Sequence, residues 1–122
     1  MSGIKYLADT NILLYIISGN SNIKSYINAD FYISEITEIE LLGNKGVSKE
    51  ILEIRKEAID ESAIVGITEQ IKQITIHLKQ IYTLKIPDAI IAATSIYLNL
   101  PLLTADKDFK KIKELDLILI SP

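Results

Sequence analysis

Apolar residues recur along the chain in two rhythms. Short β-prone runs fall at residues 4–8, 31–33, 63–67, 101–104 and 117–120, and each is stopped by polar or turn-forming residues. Between them the apolar positions repeat at helical spacing. Asp9-Thr10-Asn11 opens an apolar helix over 12–17. A turn at 19–22 leads into a short helix through about residue 28. Ser34 caps a helix through Leu42 that ends at Gly43. Residues 44–47 form a loop. Ser48 caps a charged helix to about residue 60, with Ile51, Ile54, Ala58 and Ile59 facing inward. Thr68 caps a long helix to about residue 84, with a stripe of Ile71, Ile74, Leu78 and Ile81. His77, beside that stripe, reads as structural. Ile86, Ala89, Ile90 and Ala93 lie at i, i+3, i+4 and i+7, so the next helix packs one face on a core and runs to residues 98–100.

Strands alternating with helices predict an α/β fold, a three-layer α/β/α sandwich around a central parallel sheet. The last run is apolar on both sides, as expected of a buried parallel strand. At 122 residues the chain fits a single domain, 1–122. Hydrophobic residues make up 48% and mean hydropathy is +0.25. Both predict a nearly all-buried sheet, with an apolar patch for a partner subunit.

Charge and composition narrow the chemistry. A net charge of −3 excludes holding nucleic acid by bulk electrostatics, so such contacts must be local or bridged by cations. No cysteine is present and there is one histidine, which disfavours thiolate sites, zinc centres and histidine-driven triads. No apolar run nears the ~18 residues of a membrane span, and the N-terminus does not read as a signal peptide. A cytoplasmic protein is expected.

Four acids stand out. Asp9 and Asp106 each follow a strand, so both fall at the carboxyl edge of the sheet, where open α/β sheets bind ligands. Asp88 follows Pro87 in the first turn of a helix, where the dipole favours an ionised carboxylate. Small Ala92 lies one turn below it. Glu40 shares a helix face with Thr37, while Ile36 and Ile39 flank it toward the core. Each has a plainer reading: a helix cap for Asp9 or Thr10, a first-turn charge for Asp88, a solvated glutamate for Glu40. Gathered at one edge, the four repel one another unless a cation intervenes. Carboxylates without His or Cys suit Mg²⁺ or Mn²⁺, and the natural reaction is phosphodiester hydrolysis. Lys85, Lys107, Lys110 and Lys111 are local phosphate contacts or simply solvated surface.

Asp9-Thr10-Asn11 resembles the opening motif of PIN-domain nucleases. Ser34-x-x-Thr37-x-x-Glu40-Leu41-Leu42-Gly43 resembles their second motif. Pro87-Asp88-Ala89-Ile90-Ile91-Ala92-Ala93-Thr94 resembles the third, and Leu103-Thr104-Ala105-Asp106-Lys107-Asp108-Phe109 the fourth. The four together span nearly the whole chain, and the small size is similar to that of VapC-type toxins. The resemblance implies a Mg²⁺- or Mn²⁺-dependent endoribonuclease of PIN-like fold, often a homodimer, with an RNA substrate and a cognate antitoxin. It implies an acidic quartet of Asp9, Glu40, Asp88 and Asp106. Asp9 and Asp88 would bind metal directly; Glu40 and Asp106 would act through water, one orienting the nucleophile. Asn11 and Thr104 would hold the acids in place, and Asp108 is a fifth candidate.

Many toxin-type members carry arginine and glycine shortly before the third acid, where this chain has Thr83-Leu84-Lys85-Ile86. Arg55 is its only arginine, which weakens bidentate phosphate recognition at the site. Two other readings compete. A receiver-like, Mg²⁺-binding signalling module needs paired acids after the first strand and an acceptor Asp after the third, and neither is present. A PIN fold acting only as an RNA- or protein-binding module gives no physical reason for four mutually repelling acids.

Overall fold

The computed structural model describes residues 3–121. Five parallel strands form one sheet: β1 (Lys5–Ala8), β2 (Asp30–Ser34), β3 (Ala63–Val65), β4 (Leu102–Thr104) and β5 (Leu117–Leu119), in the spatial order β3-β2-β1-β4-β5. The helices are α1 (Thr10–Ser18), α2 (Glu35–Leu42), α3 (Lys49–Asp60), α4 (Glu69–Ile81) and α5 (Ile86–Leu98). Two 3-10 helices, Ser21–Tyr26 and Lys107–Lys111, complete it. The expected α/β/α architecture with a parallel sheet is present.

Local chemistry explains the helix starts. Ser34, Ser48 and Thr68 accept backbone N–H groups of Ile36, Ile51 and Ile71, which satisfies donors that the first turn leaves free. Asp9 does the same for Thr10, so α1 begins two residues before the apolar run. Gly19, at φ 73°, ends α1 in the left-handed conformation that glycine adopts without penalty.

Alternation along the central strands divides the core between the two faces. Leu7 and Leu102 join Ile71, Leu78, Ile91 and Phe109 on the α4–α5 side. Ala8 and Leu103 join Ile12, Ile33, Leu41 and Ile59 on the other. Chain order runs outward from β1 through β2 to β3, then returns to the opposite side of β1 as β4. The sheet therefore changes direction between β1 and β4, and crevices form at such points beyond the carboxyl ends of strands. Receiver-type flavodoxin-like sheets follow the order 2-1-3-4-5, which this sheet does not.

Several expected details differ. β3 stops at Val65 and α4 at Ile81. β5 is an edge strand and only half-buried, because among the described residues it pairs with β4 alone. Ile39, Ile51, Ile54, Ile81 and Ile86 are 40% or more exposed rather than turned to the core. Helical spacing identifies residues that share a face but not which part of that face is covered: α4 buries Ile71 and Leu78 and α5 buries Ala89, Ile90 and Ala93, while Ile81 and Ile86 at their ends stay exposed. His77 is exposed, at the rim of an apolar groove with Ile74, Leu78 and Ile96.

Candidate active site

The register of the central strands assembles the site. Leu7 pairs with Leu102 and Ala8 with Leu103, so Asp9 and Thr104, the next residue of each strand, emerge side by side. Asp9 is 6% exposed and Thr104 is fully buried. Thr104 Oγ1 donates to Asp9 Oδ2 at 2.7 Å, and the backbone N–H of Thr10 donates to Asp9 Oδ1 at 2.8 Å. Both carboxylate oxygens are thus held. The same Thr104 hydroxyl accepts the N–H of Asp106 at 3.0 Å, and Asp106 Oδ1 accepts the N–H of Asp108 at 2.9 Å. A hydrogen-bonded chain therefore links Asp9, Thr104, Asp106 and Asp108.

Glu40 enters from α2. Its Oε1 accepts the Thr10 hydroxyl at 2.7 Å, and that hydroxyl also lies 3.1 Å from Thr37 Oγ1. Thr10 joins Asp9 through its backbone to Glu40 through its side chain. Asn11 is exposed and makes no comparable bond among the described residues. The contact expected of Asn11 belongs to its neighbour Thr10. No periodicity reveals this, since it depends on the pairing of β1 with β2.

Asp88 stands in the first turn of α5. With Asp106, Asp108 and Lys85 it lines a pocket of about 410 Å³, closed on the far side by Thr83, Leu84 and Lys111. Two lysines secure that wall: Lys79 Nζ donates to the Leu84 carbonyl at 2.6 Å, and Lys111 Nζ to that of Thr83. Lys107 and Lys110 are exposed and do not line the pocket.

The acids feel one another. Burial raises the Asp9 carboxyl above its ordinary range; the bonds from Thr104 and Thr10 oppose this, and Asp88 and Asp106 add to it. Burial likewise raises Asp88, reinforced by Asp106, Glu40 and Asp108 and opposed by Lys85. The α5 dipole expected to favour the Asp88 carboxylate is outweighed by these effects.

Among the described residues no three Asp, Glu or His side chains close into a ready metal cage. The donors are all hard oxygens: Asp88, Asp106 and Asp108 line the pocket, Asp88 feels the charge of Glu40, and Asp9 feels those of Asp88 and Asp106. That donor set fits a hard divalent cation that keeps part of its water.

The chain matches the PIN domain family over residues 6–115. It is similar to a chain of a toxin–antitoxin complex from Klebsiella pneumoniae, at 34% identity and a TM-score of 0.77, covering 93% of this chain and 95% of that one. It shares its fold with a chain of VapBC-1 from nontypeable Haemophilus influenzae (24% identity, 95% and 98% covered, TM-score 0.79). The same fold occurs in VapBC2 from Rickettsia felis (24% identity, 97% and 100% covered, TM-score 0.73). No curated protein matches it. No helix among the described residues is long and apolar enough to cross a membrane. Family model and fold agree that the chain belongs to the PIN-domain family.

Proposed function

We propose that this chain is a divalent-cation-dependent endoribonuclease and the toxin of a toxin–antitoxin pair, acting in the cytoplasm. The observation that carries the reading is the gathering of Asp9, Asp88 and Asp106 at the point between β1 and β4 where the sheet changes direction, with Glu40 tied to Asp9 through Thr10. Membership of a nuclease family supports it.

Asp9 and Asp88 would hold Mg²⁺ or Mn²⁺, with Asp106 and Glu40 reaching it through water. When bound, such a cation would supply polarisation of a water molecule and offset phosphate charge. Thr104 and Thr10 keep the Asp9 carboxylate from turning. Glu40, exposed at the rim, would orient the attacking water and take up its proton as the water oxygen bonds to phosphorus and a bridging P–O bond breaks, the departing oxygen taking a proton from solvent. Lys85, in the pocket wall, would meet a backbone phosphate, and Lys107 and Lys110 phosphates further along the strand. Residues 1–122 would act as one domain.

The antitoxin partner is supported by the similar chain in the Klebsiella pneumoniae complex. A homodimer is supported by the exposed isoleucines of α3 and α4, Ile51, Ile54, Ile76 and Ile81.

The test is incubation of the purified chain with a single-stranded RNA and with DNA of the same sequence, in Mg²⁺ and in EDTA. Cutting of the RNA in Mg²⁺ alone supports the reading. Metal-independent cutting, or cutting of DNA alone, would reject it. Binding of RNA without cutting under any condition would favour the binding-module alternative.

A further inference from the structure

Glu40 occupies an unfavourable place for a carboxylate. It lies in the last turns of α2, near the negative end of the helix, and α2 has no basic residue in its final turn. The helix is only eight residues long, so little of its own length holds that end. The compensating charge comes from a neighbour. Arg55, the single arginine of the chain, reaches across from α3. Its Nη1 donates to the Leu41 carbonyl at 2.8 Å and to Asn44 Oδ1 at 2.7 Å. One nitrogen thus ties the residue after Glu40 to the loop beyond Gly43. The Nε–H of the same guanidinium is buried with no hydrogen-bond partner among the described residues. A buried, unpartnered donor is costly, so the position of this side chain is not optimised for stability alone.

We propose that Arg55 is a positioning residue for Glu40: by binding the Leu41 carbonyl and Asn44 it fixes the last turn of α2 and the approach of Glu40 to the other acids. Glu40 then has two anchors. Thr10 holds its carboxylate at 2.7 Å, and Arg55 holds the backbone beneath it. The hydrogen bonds of the guanidinium go to Leu41 and Asn44, so its effect passes through the end of α2. The proposal rests on the nuclease reading, in which Glu40 belongs to the cation site.

The experiment is a double-mutant cycle read by Mn²⁺ affinity. Mn²⁺ is titrated by electron paramagnetic resonance into the unaltered chain, Arg55→Met, Glu40→Gln and the double variant. Arg55→Met is expected to weaken Mn²⁺ binding by about ten-fold, the scale seen when groups that orient metal ligands are removed. In the Glu40→Gln background it should weaken binding by less than about two-fold, because its effect passes through Glu40. Arg55→Lys, which keeps a cationic donor, should restore most of the affinity. Should Arg55→Met fail to fold, Asn44→Ala on the exposed loop takes its place, with a smaller loss that also vanishes in the Glu40→Gln background. Equal losses in both backgrounds, or no loss in the first, would overturn the proposal and leave the nuclease reading standing. An unaltered chain that binds no Mn²⁺ would remove both.

Discussion

Thr104 and Asp9 lie 95 positions apart and share a buried hydrogen bond of 2.7 Å. The bond exists because β1 and β4 pair in parallel with Ala8 opposite Leu103. It joins the last residue of one strand to the first after the other. Thr104 has a second duty, since its oxygen accepts the N–H of Asp106.

Thr104→Val keeps the shape of the side chain and removes both interactions. Asp9 Oδ2 loses its donor and the Asp106 N–H its acceptor. We expect a loss of about 1–3 kcal/mol in urea unfolding, the cost of stranding buried polar groups. Thr104→Ser should recover most of it. A valine variant as stable as the parent would mean that the bond contributes nothing.

The pH dependence of stability follows from Asp88. Its folded carboxyl is raised, first by burial and then by Asp106 and Glu40. Between the ordinary carboxylate range, about pH 4, and the raised value, the folded chain binds more protons than the unfolded one. Stability contributed by this group therefore falls as pH rises through that window. In EDTA at pH 7, Asp88→Asn should melt above the parent, and the gap should shrink as the pH is lowered toward 4. A gap that widens on acidification would contradict the assignment.

Much of this arrangement is legible from residue order. Ser34, Ser48 and Thr68 cap helices as their positions predict, and Asp9 and Asp106 follow adjacent parallel strands. Two things are not legible. Ile51 and Ile54, expected to face inward with Ile59, stay exposed while Ile59 is buried; at 3.6 residues per turn Ile59 lies about 80° and about 140° around the helix from them, and the apolar spacing alone does not say which side is covered. Thr10 looks like one more polar residue at a helix start. Its link to Glu40, 30 positions away, exists only once β1 and β2 pair and bring α1 beside α2.

Gly43 tests how closely the end of α2 is packed. Its φ of −92° is open to any residue, but a Cβ there would sit 2.6 Å from the Ile39 carbonyl oxygen. Gly43→Ala should destabilise by about 1–3 kcal/mol, as overpacking does. The check is chemical denaturation, and a neutral result would show that the turn yields freely.

Exposed isoleucines on α3 and α4 lead us to expect self-association. Light scattering across a concentration series should give a mass rising toward twice the 13.7 kDa of the chain. A mass fixed at the single-chain value throughout would remove the dimer from the account.

The most direct test of the central claim is RNA cleavage measured against Mn²⁺ concentration for the unaltered chain, Asp9→Asn and Asp88→Asn. The account predicts saturable, EDTA-sensitive cutting by the parent, and at least about a hundred-fold loss in both variants, each still folded by circular dichroism. Cleavage by either folded variant at the parental rate would contradict the assignment of these carboxylates to the cation site.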